Sequence, residues 1–552
     1  MSGTEASAAR DDGARFDVIV VGAGFAGMYL LHRLRGMGMT ARVYEAGTSV
    51  GGTWYWNRYP GARCDAESLA YSYSFSRELE QEWEWSERYA TQPEILKYAE
   101  HVAERFDLKR DMRFERRVTA ASFDDARAEW TVETDRGDRA HARFCVMATG
   151  CLSVPQEPNI PGLRDFTREL HWASRWPHHP VEFAGKRIGV IGTGSSAIQA
   201  IPVIAETAGH LTVFQRTPNF SVPAVNAKLD PGFVQEFKKH YPGHRQKHRL
   251  GLGAGFGDLQ IEPHDGQPLF DTAVGRSDAE IRAALERVWH IGGARFTGTI
   301  ADTLLNEQTN RVVADFVREK IREIVKDRAT ADALCPTSHP IGTKRICVDS
   351  GYFETYNRAN VRLVDLTQTP IERITETGVR LANGEHCELD MLVMATGFDA
   401  MTGALLRIDV RGASGAKLAE KWAAGPRSYL GLGVVGFPNL FMITGPGSPS
   451  VLSNMLVSIE QHVDWTLGCI DWMRRHGKTR IEPTAEAEEQ WVAHVTEVAN
   501  GTLMPRAGSW YMGANIPGKP RMFMPYAAGV GVYREICERV AANGYEGFAF
   551  GS

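Results

Sequence analysis

Four short apolar runs punctuate the chain, and each ends in small residues. Asp17-Val-Ile-Val-Val-Gly22 and Arg187-Ile-Gly-Val-Ile-Gly192 each lead into a glycine turn that opens a helical pattern. Arg143-Phe-Cys-Val-Met-Ala-Thr149-Gly150 and Asp390-Met-Leu-Val-Met-Ala-Thr396-Gly397 each end in Ala-Thr-Gly. Runs of this length, without polar alternation, predict parallel strands buried on both faces. Elsewhere the period is helical. Val312, Val313, Phe316, Ile321 and Ile324 recur at helical spacing within 310–328, 277–289 has the same texture, and 458–473 predicts an amphipathic helix. Phe437 to Pro446 predicts turn, strand, turn.

The pattern predicts an α/β fold with two Rossmann-like dinucleotide-binding domains, the second inserted in the first. The expected extents are a disordered lead-in at 1–15, a first domain at 16–150 and 391–552, and a second domain at 151–224 and 336–390. A helical insertion spans 225–335, and glycine-rich 251–257 is expected to be a mobile loop.

The two glycine turns are Gly22-Ala-Gly24-Phe-Ala-Gly27 and Gly192-Thr-Gly194-Ser-Ser-Ala197. In such a turn the first glycine permits a tight bend and the second lets the backbone approach a pyrophosphate at the helix N-terminus. The third position must be small for helix and strand to pack. What differs is the charge downstream. Glu45 lies 21 residues beyond Gly24 and can accept hydrogen bonds from ribose hydroxyls. Arg216 lies 22 residues beyond Gly194, where a cation suits a 2′-phosphate. The first site is therefore expected to hold FAD or NAD, and the second NADP.

Composition removes other classes. The net charge is −5 over 552 residues, with 43% hydrophobic residues and no basic stripe, which disfavours nucleic acid. No apolar run reaches the ~18 residues of a membrane span. The polar N-terminus has no apolar signal core, so a cytoplasmic protein without a membrane partner is expected, monomeric or weakly homo-oligomeric. Eight cysteines are scattered with no Cys-x-x-Cys, which disfavours a zinc ribbon or a disulfide reductase.

Two stretches are chemically dense. Gly51-Gly-Thr-Trp54-Tyr-Trp56-Asn-Arg58-Tyr-Pro-Gly-Ala-Arg63-Cys64-Asp65 is either an aromatic core loop or a cofactor wall. Its place just after Glu45 favours the wall. In His339-Pro-Ile-Gly-Thr-Lys344-Arg345 the adjacent cations, judged by residue type alone, are better read as a solvated pair.

Taken together, these stretches resemble the type I Baeyer–Villiger monooxygenases over about residues 16–550. The shared text includes Trp54 to Asp65, Gly189 to Ser196, Ser458 to Val463, Ser509-Trp510-Tyr511 and Gly513 to Gly518. The resemblance implies that Arg345 is the active-site arginine and that Asp65 holds it. It places Gly52, Thr53, Trp54, Tyr71, Val118 and Met455 with Gly22, Gly24, Gly27 and Glu45 around FAD. It places Gly192, Thr193, Gly194, Ser195, Ser196, Arg216, Thr217 and Lys344 around NADP(H), with Trp510 near the nicotinamide ribose. Ser450, Val451 and Leu452 match a bulge that shapes the substrate pocket.

The sequence departs from the family at two points. The fingerprint Phe-x-Gly-x-x-x-His-x-x-x-Trp-Pro is matched by Phe166-Thr-Arg168-Glu-Leu-His171-Trp172-Ala-Ser-Arg-Trp176-Pro177. Arg168 replaces the glycine, Trp172 takes the histidine position, and His171 comes one residue early. Cys151 stands where glutamine occurs in a member of the family.

The implied activity is conversion of aryl, linear or cyclic ketones to esters or lactones with FAD, NADPH and O₂, through a C4a-peroxyflavin. An always-charged guanidinium suits the oxyanions of such a reaction. The alternatives are a flavin monooxygenase that hydroxylates nitrogen or sulfur, disfavoured by the Lys344-Arg345 stretch and the Trp510 region, and a non-catalytic nucleotide-binding module, for which Trp172 is the signal.

Overall fold

The first apolar run lies in the middle of the larger sheet. A computed structural model describes residues 10–250 and 268–552. Strand Asp12–Val21 pairs in parallel with Ala41–Tyr44 on one side and Arg139–Met147 on the other. Val18, Ile19 and Val20 are fully buried, as a strand covered on both faces requires. Cys145–Met147 pairs further with Leu440–Met442. The other half of that strand pairs antiparallel with Glu129–Thr134, which leads through Val118–Asp124 to Asp409–Arg411. Strands from after residue 400 thus complete a sheet begun at the N-terminus.

The second sheet has five parallel strands in the order Val361–Asp365, His210–Gln215, Arg187–Ile191, Met391–Met394, Glu169–Trp172. Three expected boundaries change. Asp12 to Arg15 belong to the first strand, paired with Arg139 to His141, rather than to a lead-in. Met391–Met394 belongs to the second sheet, not the first domain: its four residues pair with Ile188 to Ile191, and the chain returns to the first domain only afterwards. The helical stretch is also divided between two cores. Val234, Phe237 and Tyr241 pack into the core of the first sheet, while Ile281, Leu285, Val313 and Phe316 pack into that of the second. The Gly251–Gly257 loop lies outside the described residues.

The expected helices are present as Asp278–Ile291, Glu307–Ile324 and Met455–Arg475. Ser277 closes the first with a reciprocal capping box to Glu280.

The chain crosses between the sheets twice, and the two crossings lie side by side. Pro155 and Phe398 form an antiparallel bridge. Gln156 N–H donates to Gly397 O at 2.9 Å, Asp399 N–H to Val154 O at 2.8 Å, and Met401 N–H to Cys151 O at 2.9 Å. The Thr396 hydroxyl adds a bond to Gln156 O at 2.9 Å.

Candidate active site

Both glycine turns face one cleft of about 1670 Å³ between the sheets. Helices Phe25–Gly36 and Ser195–Thr207 start directly after them, and neither has a side-chain cap at its first turn. Their N-terminal N–H groups are thus kept for another acceptor, and the helix dipole favours an anion there. Gly22 has φ +106°, and a Cβ on it would lie 2.6 Å from Ala148 O. Gly192 has φ +117°, with Ala395 O at 2.3 Å from a Cβ. Gly194 differs: no atom lies within 4 Å of a Cβ placed there, so its backbone faces open space. That geometry fits close approach of a pyrophosphate.

Gly27 does not border the cleft. A Cβ on it would lie 1.9 Å from Gly22 O, so this expected cofactor contact is a packing glycine that lets the helix sit against its own turn.

On the first-turn side, Gly24, Glu45, Gly52, Thr53, Trp54, Tyr71, Val118 and Met455 border the cleft. Glu45 is buried, and burial raises its pKa. Backbone N–H groups of Ala23 and Gly47 oppose that shift, donating to its two oxygens at 2.8 and 2.7 Å. The Trp54 indole N–H donates to the Tyr71 hydroxyl at 3.0 Å, which locks the two rings edge to face as one wall.

On the second-turn side lie Thr193, Ser195, Ser196, Arg216, Thr217 and Lys344. The Thr193 hydroxyl donates to Thr217 O at 2.9 Å, tying the turn to the next strand's end. Burial and the neighbouring Arg216 hold the Lys344 ammonium below the usual lysine range. Among the described residues no carboxylate pairs with either cation. An anion between two mutually repelling cations would relieve that repulsion.

Arg345 sits between these halves. Its Nε and Nη2 donate to Asp65 Oδ2 and Oδ1 at 2.9 and 2.8 Å, and Nη1 donates to the Val451 carbonyl at 2.7 Å. The two side chains keep 29% and 25% of their surface exposed, so the pair borders the cleft rather than being sealed in the core. Behind it lies buried Tyr511, its hydroxyl pushed up to about 12 chiefly by burial. The Trp510 ring borders the cleft with its centroid 4.3 Å from that of Tyr511.

Of the expected substrate-pocket bulge, only Val451 borders the cleft. Ser450 and Leu452 are buried behind it, and the Ser450 hydroxyl is engaged with Cys151. The Val451 carbonyl was not foreseen as a partner of Arg345, because a backbone oxygen leaves no mark in sequence. Tyr59 and Gln199 also border the cleft, joined by a 2.9 Å hydrogen bond, and were likewise missed. Tyr59 lies within the aromatic-dense stretch, which was the available signal.

The altered fingerprint forms the edge strand of the second sheet. Trp172 pairs with Met394 and does not border the cleft, whereas Ser174 and Arg175 do. Phe166 and Trp176 are buried anchors, and Arg168 is exposed, where a longer side chain fits. His171 projects to the other face of the strand from residue 172. Its ring lies 5.2 Å from that of Trp176, and its Nε2 is 3.5 Å from Glu169.

All eight cysteines are free thiols. Among the described residues, no group of three or more His, Cys, Asp or Glu is placed to hold a metal. No described helix is long and apolar enough to cross a membrane.

Comparison with known proteins places this geometry. A profile of pyridine nucleotide-disulphide oxidoreductases matches residues 19–248. Acetone monooxygenase (methyl acetate-forming) of Gordonia sp. strain TY-5 is 41% identical over 540 residues, covering 97% of this chain and 98% of that protein. A Baeyer-Villiger monooxygenase of Pseudooceanicola batsensis is 40% identical, covering 97% and 96%. Phenazine N-monooxygenase of Lysobacter antibioticus is 40% identical, covering 98% and 97%. Among solved structures, oxidised steroid monooxygenase bound to NADP superposes with a TM-score of 0.92 at 52% identity, covering 97% and 99%. A complex of the enzyme OTEMO with FAD and NADP gives 0.92 at 38%, covering 98% and 100%. The chain belongs to the Baeyer–Villiger monooxygenases.

Proposed function

We propose that this enzyme converts a ketone to an ester or lactone, using FAD, NADPH and O₂. The observation that carries the reading is the Arg345 guanidinium, clamped by Asp65 at the edge of a cleft that both dinucleotide turns share. The first turn, the Trp54–Tyr71 wall and Glu45 would hold FAD, with the Glu45 carboxylate available to ribose hydroxyls. The second turn would hold NADPH, with Arg216 and Lys344 the cations available to its 2′-phosphate. When bound, FAD supplies hydride acceptance and oxygen activation.

The chain's own residues supply position and charge. Arg345 stabilises the negative charge that develops on the ketone oxygen as it is attacked. It cannot discharge that oxygen by proton loss, because guanidinium stays protonated at any working pH. Asp65 fixes the fork in one plane, and the Val451 carbonyl fixes its tilt. The aromatic wall excludes water from the reacting face.

Oxygenation at nitrogen is the second reading, favoured by the likeness to a phenazine N-monooxygenase. Purified protein supplied with NADPH should be given aryl, linear and cyclic ketones and, separately, aromatic N-heterocycles such as phenazine, with products identified by GC–MS. Ester or lactone is the expected product. N-oxide with no ester from any ketone selects the second reading.

A further inference from the structure

Cys151 follows the first Ala-Thr-Gly turn and is buried beside the cleft. Its Sγ lies 3.0 Å from Ser450 Oγ and 3.4 Å from the Thr444 carbonyl oxygen. The thiol can donate to that carbonyl or to the Ser450 hydroxyl, and the Ser450 hydroxyl carries one proton to share between Cys151 Sγ and Met401 Sδ. Both partners hold left-handed backbone, Thr444 at φ 58° and Ser450 at φ 44°. Neither is glycine, so surrounding contacts must hold each in place. For Thr444 the contact is its N–H donating to Nδ1 of buried His462 at 2.8 Å. For Ser450 it is the sulfur of Cys151, with Met401 Sδ at 3.8 Å, while its carbonyl accepts from Ser453 Oγ at 2.8 Å.

The next residue is Val451, whose carbonyl accepts from Arg345 Nη1. The torsions at Ser450 and Val451 set where that oxygen points. We infer that Cys151 is a positioning residue: it holds Ser450 in its left-handed turn and thereby aims the Val451 carbonyl at the arginine. Asp65 grips two N–H groups along one edge of the guanidinium, and buried Tyr511 lies behind it. The Val451 carbonyl takes Nη1, outside the edge that Asp65 holds, and so adds a restraint on the tilt of the plane. The linkage runs through the side chain of Cys151, which borders the cleft.

Loss of the thiol removes no charge from the site. It loosens the one that is there. The effect therefore falls on how oxygen is used: NADPH is still oxidised, but more of the O₂ leaves as H₂O₂ and less as product. This inference rests on the ketone-oxygenation reading.

The test uses FAD-loaded enzyme as wild type, Cys151→Ala, Cys151→Ser, Ser450→Ala and the double alanine variant. Ester formed and H₂O₂ released are measured per NADPH consumed, together with the KM for NADPH. Cys151→Ala should raise the H₂O₂ share at least about threefold with the NADPH KM within about twofold, since only the oxygenation step feels the arginine's tilt. Cys151→Ser, which keeps a donor and an acceptor, should return the ratio towards wild type. Ser450→Ala should match Cys151→Ala, and the double variant should be no worse than either, because the two residues act through one bond. Wild-type coupling in Cys151→Ala, or Cys151→Ser behaving like Cys151→Ala, overturns the inference while ester formation by the wild type leaves the functional reading standing. A wild type that forms no ester from any ketone overturns that reading and the inference with it. Ser450→Ala carries the test should Cys151→Ala fail to fold.

Discussion

Asp65 and Arg345, 280 residues apart in sequence, meet through two parallel hydrogen bonds of 2.8 and 2.9 Å. One comes from the loop after the first dinucleotide turn and the other from the segment that re-enters the second domain before its strands Val361–Asp365 and Met391–Met394. The clamp therefore forms only when both domains are in place. A planar fork held along one edge presents its charge in a fixed direction, which a flexible point charge cannot do.

Arg345→Ala should retain FAD and still allow NADPH to bleach the flavin. Oxygenated product should fall at least about a hundredfold, the size associated with removing one preorganised oxyanion donor. Arg345→Lys should not restore it. Rapid-mixing reduction of the flavin and ester yield, measured on one preparation, separate the two halves of the reaction. Near wild-type ester from Arg345→Ala would return the residue to the solvated charge that its type alone suggests.

Arg216→Ala should weaken NADPH relative to NADH by about tenfold or more, the scale of a lost charge-assisted hydrogen bond. Lys344 adds a pH signature. Burial and Arg216 hold its pKa below the usual lysine value, so it loses its proton earlier on an alkaline titration than a solvated lysine would. The KM for NADPH should climb through that range while that for NADH stays flat, and Lys344→Arg should remove the climb. Parallel curves for both cofactors would show that neither cation meets the 2′-phosphate.

Trp172→His should leave ester formation intact and change the ratio of product to NADPH consumed. The residue ends an edge strand and does not border the cleft, so it can act on the fit of the second domain but not on the reacting atoms. Product analysis by GC–MS beside an NADPH assay reads both quantities. Ester from the variant with none from the wild type would mark the natural chain as a degenerate member of its family.

His462 should make the fold acid-sensitive. It is fully buried and donates nothing from Nε2 among the described residues, and burial lowers its pKa to about 3. The unfolded chain takes up this proton near the ordinary histidine value of ~6.5, while the folded chain resists it. Stability is therefore full above about 6.5 and lost as pH falls towards 3, by up to ~1.4 kcal/mol per pH unit from this group. His462→Gln, which keeps an acceptor for Thr444, should narrow the gap between urea midpoints at pH 7.5 and 5.5. An unchanged gap would assign the acid sensitivity elsewhere, with buried His248 and His339 the next candidates.

What could be read from the sequence was local. The two turns, Glu45 and Arg216 declare themselves because strand, glycine, helix and downstream charge are neighbours along the chain. The resemblance paired Arg345 with Asp65, which no spacing could have done. Three features escaped. The run Met391–Met394 shows a buried strand but not which sheet takes it. Helical periodicity within 225–335 shows an apolar face but not that two different cores share those faces. The Val451 carbonyl and the left-handed turn at Ser450 are backbone features, and the side-chain types at those positions do not encode them. Gly27 was misplaced as a cofactor contact because a packing glycine and a phosphate-contacting glycine look alike in text.

The paired crossings at 151–156 and 396–401 bear on how the enzyme can move. Two strands that bond to each other resist stretching and sliding, since either motion breaks several hydrogen bonds at once. Twist and bend cost them little. Any swing of the second sheet would turn about the short axis of these crossings, and it would also have to move against helices Pro231–Lys239 and Tyr241–Leu250, which pack on the core of the first sheet. Asp65 belongs to the first domain and Arg345 to the second, so the angle between the domains is also the angle at which their two hydrogen bonds close.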